Sequence, residues 1–188
     1  MMDELNFYQI NLNKCEVAQA NLMVELGKGK QFVCLIQEPH FHGLKPSSID
    51  RRFMQVLHGT GTKKSWPRAM IIASKGLKLF MIEASSSRDT TCINLHNSNE
   101  ELIICSAYQD ITFPEVINTV DKCAEHSKTC NKPILIGADS NPHSQLWMSE
   151  IENQRGEILE DFITLNNLFV CNIGNEFIYD CAIEKINN

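Results

Sequence analysis

The stretch PILIGADSN, residues 133 to 141, runs from an apolar, β-branched segment directly into polar residues. The segment ILIG is typical of a buried strand, so Asp139 and Asn141 stand where that strand ends. Three other apolar runs, FYQI, VCLIQ and IICSA, also end at a polar residue. Polar side chains at strand ends that face one way build sites. The sequence therefore predicts one polar edge that contains Asn11, Glu38, Tyr108, Asp139 and Asn141.

The spacing of apolar residues predicts strands and helices that alternate along the chain. Helices are expected at 15–26, where Val17, Ala18, Leu22 and Leu26 share one face, and at 114–127 and 156–166. Because helices separate many of the strands, the class is mixed α and β, and no linker or repeat divides residues 1–188, which we expect to form a single domain. Strands are expected at 5–11, 32–37, 69–73, 77–83, 91–95, 101–108, 133–139, 168–173 and 176–183.

The predicted polar edge has the chemistry of a divalent-metal site. Two carboxylates from distant strand ends, with amides between them, are the hard oxygen ligands that Mg²⁺ prefers, and Mn²⁺ accepts the same set. Each residue alone also has a structural interpretation. Asn11 suits a turn, Glu38 before Pro39 suits a loop, and Asp139 with Asn141 suits a strand-to-loop turn.

Charge is unevenly distributed along the 188 residues. The net charge is −6, which disfavours a broad nucleic-acid-coating surface. Residues 1–80 have 11 Lys and Arg against 6 Asp and Glu, whereas residues 81–188 have 6 against 17. A phosphate-facing surface is therefore expected in the first half, where a basic and aromatic group suited to nucleic acid consists of Lys63, Lys64, Trp66 and Arg68. An exposed loop anchored by a buried Trp66 is the alternative.

The cysteines and apolar runs indicate the expected compartment. Eight cysteines are scattered without a C-x-x-C pair, and several lie in apolar runs, so we expect reduced, mostly buried thiols. No signal peptide pattern and no run of about 18 apolar residues is present, so no membrane association is expected. We therefore predict a nuclear or cytoplasmic protein.

Five motifs occur in the order of one family's signature. They are QINLN (9–13), LIQEPH (35–40), PRAMII (67–72), SAYQD (106–110) and GADSNPHSQLW (137–147). Together they resemble the apurinic-endonuclease-like domain of non-LTR retrotransposons, a branch of the endonuclease/exonuclease/phosphatase superfamily. The resemblance implies a DNase I-like, four-layer α/β sandwich of two packed mixed β-sheets flanked by helices. It also implies Mg²⁺-dependent nicking of target DNA to prime reverse transcription.

The resemblance also implies roles for individual residues. Glu38 is the metal ligand and Asn11 belongs to the same metal site. Tyr108 supports the attacked phosphate, Asp139 activates or orients the water, and Asn141 binds phosphate or metal-bound water. The family's Ile-Asp-x-Thr-Leu strand is matched weakly by residues 179–183, which makes Asp180 the counterpart of a second catalytic aspartate.

The sequence departs from the family pattern in two places. Ser140 and Pro142 replace a Phe and an Ala, and the family's closing Ser-Asp-His strand has no counterpart before Asn188. We therefore expect weak or absent nicking, and self-association through the uncovered C-terminal edge. An inactive nucleic-acid- or protein-binding derivative and a phosphoesterase acting on small phosphoesters are the alternative functions.

Overall fold

The computed structural model describes residues 5–28, 30–62, 65–97, 100–109, 118–139 and 153–171. The chain forms two compact units, Met1–Asn141 and Pro142–Asn188, and the single domain predicted for residues 1–188 stays a prediction. The elements in chain order are β1 (Leu5–Asn11), α1 (Glu16–Leu26), β2 (Gln31–Gln37), β3 (Phe41–His42), β4 (Lys45–Pro46), β5 (Met54–His58), β6 (Ala69–Ser74), β7 (Lys78–Met81), β8 (Thr90–Asn97), β9 (Glu100–Tyr108), α2 (Asn118–Cys130), β10 (Ile134–Asp139) and α3 (Gln154–Leu165).

Two four-stranded sheets form the first unit, and each is built in the same way. The first sheet has the order β1-β2-β6-β5 and the second β10-β9-β8-β7. In each, one outer pair is parallel (β1 with β2, β10 with β9) and the other pairings are antiparallel. The register places Asn11 beside Gln37 and Asp139 beside Tyr108. The carboxyl ends of both parallel pairs therefore end in predicted site residues or their neighbours.

The two sheets pack face to face through apolar side chains that alternate along the strands. Strand β2 is buried on both faces, since Val33 and Leu35 point into the core between the sheets while Cys34 and Ile36 belong to a second core beneath α1. From the other sheet, the shared core receives Ile93, Leu95 and Ile104.

Helix α2 packs on the outer side of the second sheet, where it buries Val120, Cys123 and Ala124. The order helix, sheet, sheet, helix confirms the predicted four-layer α/β sandwich.

Helix α1 packs on the core through Ala18, Leu22 and Leu26, as apolar spacing predicted, but Val17 is not part of that face. Val17 is 68% exposed, whereas Gln19 is fully buried. The Gln19 amide nitrogen donates to the carbonyl oxygens of His40 (3.1 Å) and Ser47 (2.6 Å), and its oxygen accepts from His40 N (2.9 Å). The prediction for Val17 was wrong because the helix packs on the β3–β4 hairpin through this polar contact, which costs little when every group is paired.

Other differences lie at segments with weak periodicity. Strand β5 was not predicted, because the sequence around it has no regular apolar spacing. In the structure most of its residues are only partly buried. Residues 168–171 do not form the strand predicted at 168–173. The predicted strand 176–183 and the start of the helix predicted at 114 lie outside the described residues. So does the C-terminal edge, and self-association through it stays a prediction. No helix in the described part of the chain is long and apolar enough to span a membrane.

The buried thiols are structural. Cys34, Cys92, Cys105 and Cys123 are fully buried, as expected for reduced cysteines in a core, whereas Cys15, Cys130 and Cys171 are exposed. Burial raises the pKa of the Cys34 thiol to about 12, and hydrogen bonding to Cys123 together with burial raises the pKa of Cys92. These thiols remain protonated at neutral pH, so Cys34 and Cys92 do not act as nucleophiles.

Candidate active site

Three predicted site residues converge where the two sheets meet. Asn11 ends β1, Glu38 follows β2, and Asp139 ends β10. The Asn11 amide nitrogen lies 3.5 Å from Glu38 Oε2 and donates a short hydrogen bond to Asp139 Oδ2. Asn11 and Asp139 are 128 positions apart in sequence, so this contact exists only in the folded chain. The structure thus brings two carboxylates and one amide together at a single edge.

A tight backbone turn holds Glu38 in place. Asn13, Lys14 and Glu38 all have left-handed backbone conformations, with φ of 46°, 56° and 47°. Such a conformation costs about 1 to 2 kcal/mol for a residue with a Cβ, and clusters of it mark functional sites. Lys14 N donates to Glu38 O (2.8 Å), and Asn13 N donates to Asn11 Oδ1 (2.7 Å). The strained turn therefore fixes both the Glu38 backbone and the Asn11 amide.

Lys14 places a positive charge directly on this cluster. Its Nζ lies 2.8 Å from Glu38 Oε1, while its side chain is 58% exposed and that of Glu38 only 10%. The buried carboxylate is therefore paired with a cation that reaches it from the solvent side. The sequence motif QINLN contained no feature that separated Lys14 from an ordinary surface lysine.

Side-chain amides, one buried and one exposed, join the two sheets beside the site. Gln37 Nε2 donates to Ser106 Oγ and to Gly137 O, both at 3.1 Å, and Ser106 Oγ donates to Ile36 O (3.2 Å). Gln9 Nε2 also donates to Ala138 O (3.0 Å). These bonds cross from the first sheet to the second. They fix the distance between the strand ends that hold Glu38 and Asp139.

Tyr108 lies at the end of β9 beside a buried ion pair. Its ring is 4.7 Å from the Arg68 guanidinium carbon. Arg68 is 8% exposed, and its Nε and Nη2 donate to Asp89 Oδ1 (2.6 Å) and Oδ2 (2.7 Å). No sequence pattern marked Asp89 as a site residue. A lone Asp between Arg88 and Thr90 has no distinctive pattern, and only the fold shows its partner.

Of the remaining predicted site residues, only Trp66 lies in the described part of the chain. Trp66 is 40% exposed, and its carbonyl oxygen accepts from Arg88 Nε (3.1 Å), so it is not the buried anchor of the alternative interpretation. Lys63, Lys64, Asn141 and Asp180 lie outside the described residues, and their predicted roles stay predictions.

The converging donors suit a hard divalent cation. No group of three or more His, Cys, Asp and Glu side chains in the described ranges is arranged to hold a metal. Mg²⁺, however, is often held by only one or two carboxylates together with substrate phosphate and water. Glu38 and Asp139 supply two carboxylates, and the Lys14 ammonium already stands beside Glu38 as a cation. The donor set therefore fits Mg²⁺ or Mn²⁺, with Glu38 and Asp139 as the holding residues.

The Asn11 amide is oriented with its nitrogen, not its oxygen, toward the carboxylates. Its Oδ1 accepts from the backbone of Asn13 instead. In this arrangement Asn11 positions the two carboxylates as a hydrogen-bond donor. Direct ligation of a metal through Oδ1 requires the amide to turn over and release Asn13.

Comparison with known proteins places these residues in a family context. Residues 90 to 182 match the model of a family described as endonuclease-reverse transcriptase. The family resemblance predicted from the sequence is confirmed. The matched range of this endonuclease-reverse transcriptase family includes Tyr108, Asp139, Asn141 and Asp180, whereas Asn11 and Glu38 precede it. No curated protein matches the sequence significantly.

One solved structure confirms the fold. The endonuclease domain of TRAS1, a telomere-specific non-LTR retrotransposon, superposes with a TM-score of 0.75 at 20% identity, over 89% of this chain and 73% of that chain. A β-hairpin deletion mutant of β toxin from Staphylococcus aureus matches with a TM-score of 0.44 at 11% identity, over 88% of this chain and 73% of that one. The TRAS1 likeness confirms the DNase I-like architecture predicted for the chain.

Proposed function

We propose that this chain is a Mg²⁺- or Mn²⁺-dependent endonuclease that hydrolyses a DNA phosphodiester. The observation that supports the proposal best is the convergence of Asn11, Glu38 and Asp139 from two different sheets, with both carboxylates tied to one amide. A purely structural turn at each strand end would not require the three to meet. The endonuclease-reverse transcriptase family match and the TRAS1-like fold support the same reaction class.

Each side chain of the proposed site has a different role in hydrolysis. When bound, Mg²⁺ or Mn²⁺ supplies positive charge that neutralises the developing negative charge on the phosphate and the leaving oxygen. Glu38 and Asp139 hold that charge at the edge of the sheets. Asp139 also accepts a proton from the attacking water or orients it in line, because a carboxylate is an acceptor on either oxygen.

Tyr108 completes the described part of the site. Its hydroxyl is suited to donate to a non-bridging phosphate oxygen, as the family resemblance implies. Asn141 is proposed to bind phosphate or metal-bound water. Asp180 is proposed to serve as a second catalytic aspartate. The proposed biological role is a nick in target DNA that supplies the primer end for reverse transcription.

Nicking of supercoiled plasmid in the presence of Mg²⁺ tests the proposal. The proposal requires that the wild-type chain convert at least part of the supercoiled plasmid to the open circle, even if nicking is weak, and that Glu38→Gln abolish this conversion without loss of fold. Glu25→Gln is the matched control, because Glu25 is an exposed glutamate that also pairs with a lysine, Lys28 at 2.5 Å. Equal nicking by Glu38→Gln and wild type would contradict the proposal.

Two other outcomes identify the alternative functions. Intact plasmid with retained DNA or protein binding would select a catalytically inactive binding derivative. Hydrolysis of a soluble phosphomonoester without plasmid nicking would select a phosphoesterase, because the fold alone does not fix the substrate. Chelation with EDTA should remove any activity that depends on the metal.

A further inference from the structure

The buried pair of Arg68 and Asp89 links the two sheets at the site. Arg68 directly precedes β6 of the first sheet, and Asp89 directly precedes β8 of the second. The guanidinium meets the carboxylate in a two-point contact through Nε and Nη2, at 2.6 and 2.7 Å. The Arg68 side chain is 9% exposed and that of Asp89 23%. A planar two-point contact of this kind fixes orientation as well as distance.

Backbone hydrogen bonds extend this link to both sides of the site. Glu38 N donates to Arg68 O (2.8 Å), so Arg68 fixes the backbone of the proposed metal ligand. Tyr108 N donates to Asp89 O (2.9 Å), so Asp89 fixes the backbone of the proposed phosphate-binding tyrosine. Glu38 and Tyr108 belong to different sheets. The backbones of Glu38 and Tyr108 are therefore connected through Arg68 and Asp89, by one hydrogen bond at each end and the ion pair in the middle.

The Arg68 side chain also restrains the Tyr108 ring itself. The guanidinium carbon lies 4.7 Å from the ring centroid, which is within the range of a cation–π contact. Tyr108 is half-buried with its ring against the guanidinium, and the strand register places it beside Asp139. This contact limits the directions in which the hydroxyl can point.

We propose that Arg68, held by Asp89, is a positioning residue that aims Tyr108 at the scissile phosphate rather than a residue that grips DNA. The inference rests on the proposed endonuclease function. It assigns a role to Asp89, and it changes the role that the basic and aromatic sequence cluster suggested for Arg68. A phosphate-gripping arginine presents its guanidinium to solvent, whereas this guanidinium is buried and directed at Asp89.

Two variants of the pair separate the roles. Arg68→Lys keeps the charge but loses the planar two-point contact, so we expect kcat for plasmid nicking to fall on the order of 10- to 100-fold with little change in KM. Asp89→Asn weakens the hold on the guanidinium and should reproduce that kcat loss. If Arg68 instead grips phosphate, Asp89→Asn frees the guanidinium and tightens DNA binding. Tighter binding with unchanged kcat would overturn the inference.

A double-mutant cycle with Tyr108 tests the path of the effect. If Arg68 acts through the Tyr108 hydroxyl, Arg68→Lys should change kcat by less than about twofold in a Tyr108→Phe background, because coupled residues are non-additive. Full additivity of the two losses would overturn the inference. Thermal melting of each variant distinguishes loss of fold from loss of positioning, and Asp89→Asn serves if Arg68→Lys does not fold.

Arg52 provides a matched control within the same chain. It also makes a two-point contact, with Asp50, and its guanidinium carbon lies 5.5 Å from the Phe53 ring centroid, but its side chain is 81% exposed. Arg52→Lys should leave kcat unchanged. An equal loss in Arg52→Lys would show that the effect is not specific to the site. Absence of nicking by the wild-type chain would refute the proposed function and this inference together, whereas an active wild type with unaffected variants would refute this inference alone.

Discussion

The Lys14 ammonium lies 2.8 Å from Oε1 of Glu38, while Asn11 faces the other carboxylate oxygen, Oε2. Both oxygens of the proposed metal ligand therefore already have a partner within the chain. A divalent cation that binds at Glu38 must displace the ammonium from Oε1 or share that oxygen with it. Lys14 and the metal consequently compete for the same negative charge.

Removal of the Lys14 charge should strengthen metal binding. The pair has one largely exposed member, and such pairs contribute about 0.2 to 1 kcal/mol, so Lys14→Met should raise the affinity for Mn²⁺ by a factor of about 1.4 to 5. Isothermal titration of Mn²⁺ into both proteins measures this. Lys28→Met is the control, since Lys28 pairs with Glu25 away from the site. Weaker metal binding in Lys14→Met would show that the ammonium supports the site instead.

DNA binding should be weak and steeply dependent on salt. The net charge is −6, and the surplus of basic residues is confined to the first 80 positions, so attraction depends on a limited set of phosphate contacts that release counterions. Fluorescence anisotropy with a labelled duplex should show affinity falling about tenfold or more between about 50 and 200 mM salt. Affinity that does not change over this range would contradict the prediction.

The ion-paired Glu101 should make stability depend on pH in the acid range. Hydrogen bonds from Lys132 and then from Asn94 Nδ2 (2.6 Å) lower the pKa of Glu101 in the folded state. A lowered folded-state pKa contributes stability above the unfolded value of about 4.3, and that stability is lost as the pH falls through the folded pKa. Glu101→Gln should therefore lower the Tm at pH 7.

The same variant should lose its effect at low pH. As the pH falls through the lowered folded-state pKa of Glu101, the wild-type carboxyl also takes up a proton, so the difference in Tm should shrink and then vanish. Differential scanning calorimetry across this range measures the trend. Glu100→Gln, at the exposed neighbouring position, is the control and should show no such convergence. A Tm difference that is the same at every pH would refute the assignment.

Gly137 of the second sheet lies close to Leu35 of the first sheet. A Cβ at this position would lie 2.7 Å from Leu35 Cδ2 and 3.3 Å from Leu35 Cβ, which is too close for real side chains. Gly137→Ala should therefore destabilise the fold by about 1 to 3 kcal/mol and reduce any nicking, because Asp139 is two residues away. Gly27→Ala, at a right-handed helix end with φ of −72°, should change stability by less than about 1 kcal/mol. Urea unfolding of both variants gives the comparison.

The sequence predicted the parts of this fold that repeat a simple pattern. Strand β2 has a continuous apolar run because both of its faces are buried, and the ends of β2 and β10 marked Glu38 and Asp139 as site residues. Helix α1 was predicted at nearly its observed bounds, and Ala18, Leu22 and Leu26 of its predicted face pack on the core, but the burial of Gln19 was not predicted. Gln19 is buried for its hydrogen bonds to the β3–β4 hairpin, and a hydropathy pattern does not register a buried polar residue whose partners lie elsewhere in the sequence.

The site was predicted only where a strand ends in a polar residue. Lys14 and Asp89 stand in turns, and their partners Glu38 and Arg68 are 24 and 21 positions away, so no local spacing relates them. The Arg68 guanidinium was expected among DNA-facing residues because a basic residue beside Trp66 is typical of such a surface. Its burial depends on Asp89 and Tyr108, which only the packing of two sheets brings near.

The hydrogen bonds from Gln37 to Ser106 and Gly137 have a consequence for the order in which the protein acquires its chemistry during synthesis. Asn11 and Glu38 leave the ribosome early, yet their acidic partner Asp139 follows about a hundred residues later, and the amide of Gln37 finds its acceptors only then. A growing chain therefore contains Glu38 before it contains Asp139, and the hydrogen bonds that set the distance between the two carboxylates have not yet formed. Under the proposed function, ribosome-bound chains that end before β10 lack the second carboxylate of the site and should be inert toward DNA.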